Sequence, residues 1–289
     1  MNIQSTFFRK LFGVFLAMAC IVAMAGMAAC APENAKPETE LGSVRLGKVN
    51  ELVPLVYGLP PQASNTQVAS YVYKEGQRVD IYWPPDFKFD KSLPLVLIVV
   101  GLPDTRVRSL NGASAPDAAY YVSWSAAAAT TGAAAAVMTV GQASSDFPDL
   151  VKFLQKQKKS LFIDPSKLFL FASSSNWAPV ASLASKGGLL DGSIKGTSLY
   201  YASITDMTPI PNSGFPIEVV IAGQDNATEL KRMESYIKKM EANGSVLNVV
   251  RYTEGRHAFD VFQDSDETRA IVANTLSFMS KCLLGTKAP

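Results

Sequence analysis

Leu95-Val96-Leu97-Ile98-Val99-Val100 follows a proline and ends at Gly101. An apolar run this short, with no polar residue inside it, describes a strand covered on both faces, and such strands belong to parallel sheets. Ile217 to Ala222 repeats the buried-strand pattern with the single exception of Glu218, and also ends at a glycine, Gly223. Two such runs far apart in the chain call for one central sheet with crossover connections.

The flanking segments supply those connections. Val68 to Tyr73 and Arg78 to Trp83 are β-rich and joined by Lys74-Glu75-Gly76-Gln77, which predicts a hairpin of two antiparallel edge strands. Ser114 with Asp117 three residues later opens a predicted helix over Ala115 to Thr130, and Ala133 to Val140 is the next strand. Phe147, Leu150, Val151 and Leu154 form one apolar helical stripe, with Lys152, Lys156 and Lys159 on a solvated face. Leu168 to Ala172 and Gly196 to Ala202 read as strands, with a helix between them at Ala178 to Ser185. Leu230, Met233, Ile237 and Met240 line a helix stopped by Asn243-Gly244. Val246 to Tyr252 is the last strand, and a helix with an acidic start runs from Asp266 to Cys282. This alternation predicts an α/β fold, a mostly parallel sheet flanked by helices on both faces.

The chain has 289 residues, 48% hydrophobic and 18% charged, with a net charge of +2. One large core is expected over residues 49–289. No Lys/Arg cluster is interleaved with aromatics, which sets nucleic acid aside as a partner. Arg9 and Lys10 precede an apolar run from Leu11 to Ala29, so residues 1–29 read as an export signal. The stretch resembles a bacterial lipoprotein signal, which implies lipidation at Cys30, a membrane anchor, and a cell-envelope location. Cys20 is the alternative, but cleavage there leaves the apolar Ile21 to Ala29 on the mature protein. Residues 30–48, with two prolines and three glutamates between Ala31 and Lys48, read as a polar tether. Cys282 is then left with nothing to pair with.

Parallel sheets carry their ligands at the carboxyl ends of the strands. Reading those ends in order gives Gly101-Leu102, Ser173-Ser174-Ser175, Gly223-Gln224-Asp225 and Gly255-Arg256-His257. A serine hydroxyl needs a base working near neutral pH, and His257 is the only histidine in the chain. Asp225 is the candidate for holding its imidazole, with Asp206 as the rival. The same residues also have bland readings as helix caps, turns and a structural histidine.

Asp164-Pro165-Ser166-Lys167-Leu168-Phe169-Leu170-Phe171-Ala172-Ser173-Ser174 resembles the approach to the nucleophile in lipase/esterase and dienelactone hydrolase-like members of the α/β-hydrolase family. Gly223-Gln224-Asp225 and His257-Ala258-Phe259-Asp260 resemble their acid and base motifs. The resemblance spans Val68 to Cys282 and implies the α/β-hydrolase fold, Ser174 as nucleophile, Asp225 as acid and His257 as base. It implies an oxyanion hole from the backbone N–H groups of Ser175, at the start of its helix, and Leu102. A small-molecule ester is the expected substrate, with no metal or organic cofactor.

The family pattern G-x-S-x-G keeps the positions two before and two after the serine small, because strand and helix pack closely there. Here they are Ala172 and Asn176, and Pro179 removes a hydrogen bond from the following helix, so a distorted turn is expected. Ser173 or Ser175 as nucleophile would place Phe171 or Trp177 at a small position, which favours Ser174. The alternative functions are a peptidase of prolyl oligopeptidase-like type and a non-catalytic binding lipoprotein on a hydrolase scaffold. About fourteen residues between the strands at Ala202 and Ile217 leave no room for a large lid.

Overall fold

The computed structural model describes residues 55–285. The predicted export signal, Cys30 and the tether lie outside the described residues. In chain order the elements are β1 (Gln67–Lys74), β2 (Gln77–Trp83), β3 (Leu93–Ile98), α1 (Asp104–Asn111), α2 (Ala119–Ala129), β4 (Ala134–Met138), α3 (Ala143–Gln157), β5 (Ile163–Ser173), β6 (Ile194–Tyr200), β7 (Ile217–Ala222), α4 (Ala227–Ala242), β8 (Leu247–Tyr252), α5 (Phe259–Phe262) and α6 (Asp266–Leu284).

The strands form one sheet in the order β1-β2-β4-β3-β5-β6-β7-β8. From β4 through β8 every neighbouring pair is parallel, while β2 runs antiparallel to both β1 and β4. The hairpin therefore supplies one edge strand, β1, and one interior strand, β2, where two edge strands were expected. The whole of β3 and β7 is buried, as the apolar sequence of β3 requires and that of β7 allows once Glu218 is hydrogen-bonded by Ser198 and Thr275.

Strand alternation shows where the helices lie. Arg78 of β2 pairs with Asp117 at the foot of α2 at 2.7 Å. The next residue, Val79, faces the opposite side and sits across from Tyr71, whose ring meets Phe153 of α3. So α2 and α3 cover opposite faces. The α2 face is the aromatic one: Trp124 packs on Phe171 with centroids 4.0 Å apart, and Phe278 of α6 packs on Phe169. Burial of this apolar area is the main stabilising term.

Three expectations are corrected. Residues 115–130 do not form one helix, because Ala115–Asp117 is a 3₁₀ turn and the extended Ala118 separates it from α2. Ser114 does not cap the backbone there; its hydroxyl donates to the Asp117 carboxylate at 2.6 Å. No α-helix forms over Ala178 to Ser185: the chain makes 3₁₀ turns at Ser174–Asn176 and Ala181–Ala184. Pro179, lacking an N–H, sits between those turns, and buried Trp177 is pinned by its indole N–H to the Tyr236 hydroxyl at 3.0 Å. The unpredicted α1 buries only Val107 and so shows no apolar stripe. Among the described residues, no helix is long and apolar enough to cross a membrane.

Candidate active site

The carboxyl ends of β3, β5, β7 and β8 meet at one end of the sheet, and each carries one of the residues picked out by sequence. Ser174 follows β5 directly with φ of +50°, a left-handed conformation that a side-chain-bearing residue adopts only under constraint. Its carbonyl accepts from the Ser203 N–H at 2.9 Å, which ties the turn to the loop after β6.

Asp225 is positioned by two interlocked loops. Gly223 approaches β8 so closely that a Cβ there would lie 2.5 Å from the Thr253 carbonyl oxygen. The Gly223 N–H donates to the Tyr252 carbonyl at 2.7 Å and the Gln224 N–H to that of Gly255 at 2.8 Å. The adjacent Asn226, not Asp225, caps α4, its side chain accepting from the Glu229 N–H. Asp225 Oδ1 accepts from the Asn226 N–H at 2.8 Å, which orients the carboxylate and leaves Oδ2 for another partner.

That partner is His257. Its Nδ1 lies 2.6 Å from Asp225 Oδ2, and its Nε2 lies 2.9 Å from Ser174 Oγ. The Asp225 side chain is 8% exposed and that of His257 40%, so a dry carboxylate backs an imidazole that solvent and a ligand can reach. Asp206, the rival acid, is exposed in the loop after β6, where its backbone carbonyl faces Lys239. This arrangement can deprotonate a hydroxyl: the imidazole takes the serine proton and the carboxylate stabilises the cation formed.

The turn at Ser174 is built around the substitution that set it apart from the family pattern. Asn176 is buried, and its side-chain oxygen accepts the Gly101 N–H at 2.9 Å while its amide donates to the Tyr121 hydroxyl at 3.3 Å. The small residue that close packing requires is supplied by the loop after β3: a Cβ on Gly101 would lie 2.5 Å from the Asn176 carbonyl oxygen. Ser175 falls in the 3₁₀ turn rather than at the start of a helix, and its N–H, in the first turn, has no intrahelical acceptor to satisfy it. Leu102 follows Gly101 in the facing loop.

Beneath His257 lies a polar cluster that no local sequence pattern foretells. Asp260 is fully buried, and its carboxylate accepts from the Tyr201 hydroxyl at 2.7 Å and the Trp124 indole at 2.9 Å. Burial holds its carboxyl above the usual range, opposed by those donors. The same burial pushes the Tyr120 and Tyr201 hydroxyls well above their ordinary values. Only the contact between residues far apart in the chain reveals the cluster. Among the described residues no group of histidine, cysteine or carboxylate side chains could hold a metal ion.

The esterase from the planctomycete Thermogutta terrifontis superposes over 80% of this chain and 96% of its own, with 14% identity and a TM-score of 0.59. An esterase from Pyrobaculum calidifontis covers 78% of this chain and 87% of its own, at 15% identity and a TM-score of 0.57. A thermostable carboxylesterase cloned from a metagenomic library covers 75% and 89%, at 16% identity and a TM-score of 0.56. This is the α/β-hydrolase fold. The dienelactone hydrolase family matches residues 180–282, a stretch of the hydrolase fold that holds Asp225 and His257 and begins just past Ser174. No curated protein matches the chain.

Proposed function

We propose that this α/β-hydrolase cleaves carboxylic esters through an acyl-enzyme on Ser174. The observation that carries the reading is the hydrogen-bonded chain from Ser174 Oγ through His257 to Asp225. Ser174 Oγ attacks the ester carbonyl as His257 Nε2 takes its proton. The oxyanion is received by the N–H groups of Ser175 and Leu102. Collapse expels the alcohol, protonated by His257, and water then releases the acid by the same steps in reverse. Among the described residues, the short loop at residues 201–216 supports a mouth without a large lid. The resemblance to esterases and the dienelactone hydrolase match support an ester over a peptide. Export and anchoring through Cys30 complete the proposal and rest on the sequence of residues 9–30.

A fluorophosphonate probe tests the chemistry. Wild type is expected to label at Ser174, Ser174→Ala to remain unlabelled, and Asp225→Asn to lose about 10⁴-fold in kcat. Folded wild-type protein that does not label would overturn the reading in favour of a non-catalytic binding protein. Faster turnover of a peptide anilide than of a p-nitrophenyl ester would overturn the ester assignment.

A further inference from the structure

We infer that Asp260 and Tyr201 are positioning residues for His257, an assignment that rests on the hydrolase reading above. The Tyr201 ring lies against the imidazole with centroids 4.7 Å apart and planes at 57°. Its hydroxyl is fixed from the far end by Asp260 at 2.7 Å. The other oxygen of Asp260 is held by Trp124 of α2, so the tyrosine is anchored to a helix in the core. The Tyr120 hydroxyl, 3.3 Å from that of Tyr201, also reaches Ser173, the neighbour of the nucleophile. The cluster therefore touches the base itself and the residue next to the nucleophile.

Two features argue that it does more than fill space. A buried carboxylate without a cation beside it is expensive, and three apolar side chains of the same volume would pack without that penalty. The backbone is also strained on both sides of the contact: Tyr201 has φ of +36° and Ala258, next to His257, has φ of +59°. The turn at Ala258 carries the chain from the exposed His257 back to the buried Asp260. Backbone conformations of this kind persist only where the surrounding contacts over-determine them. An imidazole with two hydrogen bonds in opposite directions loses both when it tilts, and small misplacements of reacting groups are costly in rate.

Asp260→Leu and Tyr201→Phe each remove the hydrogen bond between the two side chains with little change in side-chain shape. In the full-length protein each is expected to lower kcat about tenfold with KM within about twofold, and the double variant to fall no lower than the worse single one. Because the chain has one histidine, ¹⁵N-histidine labelling reports one imidazole. Its low-field Nδ1–H resonance is expected to broaden and move upfield in both variants. Variants that fold as wild type with kcat and this resonance unchanged overturn the inference, as do fully additive losses. If wild type fails to label at Ser174 the hydrolase reading falls by itself, and the imidazole resonance still decides whether Asp260 holds the ring.

Discussion

Gly101 and Asn176 hold the nucleophile turn together from two sides: the Gly101 N–H donates to the Asn176 side chain at 2.9 Å, and its α-carbon faces the Asn176 backbone with no room for a Cβ. The residue two places after the serine can be large here because its side chain bridges the Gly101 N–H and the Tyr121 hydroxyl, and the small residue that the close approach needs is Gly101, in the loop after β3.

Gly101→Ala follows directly. A methyl 2.5 Å from a backbone oxygen and 2.8 Å from an α-carbon cannot be relieved by a rotamer change. Overpacking of this kind costs about 1–3 kcal/mol, and displacing the turn by about 1 Å costs on the order of a hundredfold in rate. Urea unfolding and the rate of fluorophosphonate labelling check the two effects; a variant that labels at the wild-type rate means that the loop has room to move.

Asn176→Gly restores the family pattern and is expected to destabilise. It strips a buried N–H of its acceptor, which costs about 1–3 kcal/mol, and adds backbone freedom to the unfolded chain. Denaturant midpoints for Asn176→Gly and Asn176→Asp separate the contributions, because Asp keeps an acceptor for Gly101. Stability of the glycine variant at or above wild type contradicts the bridging role.

How far the sequence foretold this architecture depends on where the physical signal was local. Ile217 to Ala222 was readable as a strand because every residue in it but Glu218 is apolar, as burial on both faces favours. β5 begins earlier than expected, at Ile163, because its first residues pass through Asp164, Ser166 and Lys167 at the partly exposed base of the sheet. The helix expected at Ala178 to Ser185 is missing because Pro179, read only as a sign of a distorted turn, combines with an anchor at Tyr236 that lies far along the chain. Ser174, Asp225 and His257 were each visible at the end of a strand. Asp260 was quoted only as the end of a motif, because its partners Trp124 and Tyr201 come from other elements.

Glu218 gives a pH-dependent test. It lies buried on β7, and burial raises its carboxyl above the ordinary value, opposed by hydrogen bonds from Thr275, Ser198 and Asn248. An acid whose folded pKa exceeds its unfolded one binds its proton more tightly in the native state. Native stability from this group is therefore present at low pH and lost as pH rises from the unfolded value through the folded one. Glu218→Gln keeps an oxygen for Ser198 and Thr275, and its amide can be met by a flipped Asn248. The melting temperature of the variant relative to wild type is expected to rise with pH across that window. A difference that is flat or falls with pH refutes the sign.

The left-handed φ of +50° at Ser174 predicts a trade of stability for chemistry. A residue with a Cβ pays about 1–2 kcal/mol to occupy that region, and glycine does not. Ser174→Ala removes the nucleophile but keeps the Cβ, whereas Ser174→Gly removes both. Glycine also gains freedom in the unfolded chain, which offsets part of the relief, so the net expectation is that Ser174→Gly exceeds Ser174→Ala in stability by about 0.5–1 kcal/mol. Both variants should be unlabelled by the probe, so activity does not enter the comparison. Equal stabilities would mean that the turn holds no net strain. A glycine variant that is clearly more stable shows strain stored at the one backbone position where Ser174 must face His257.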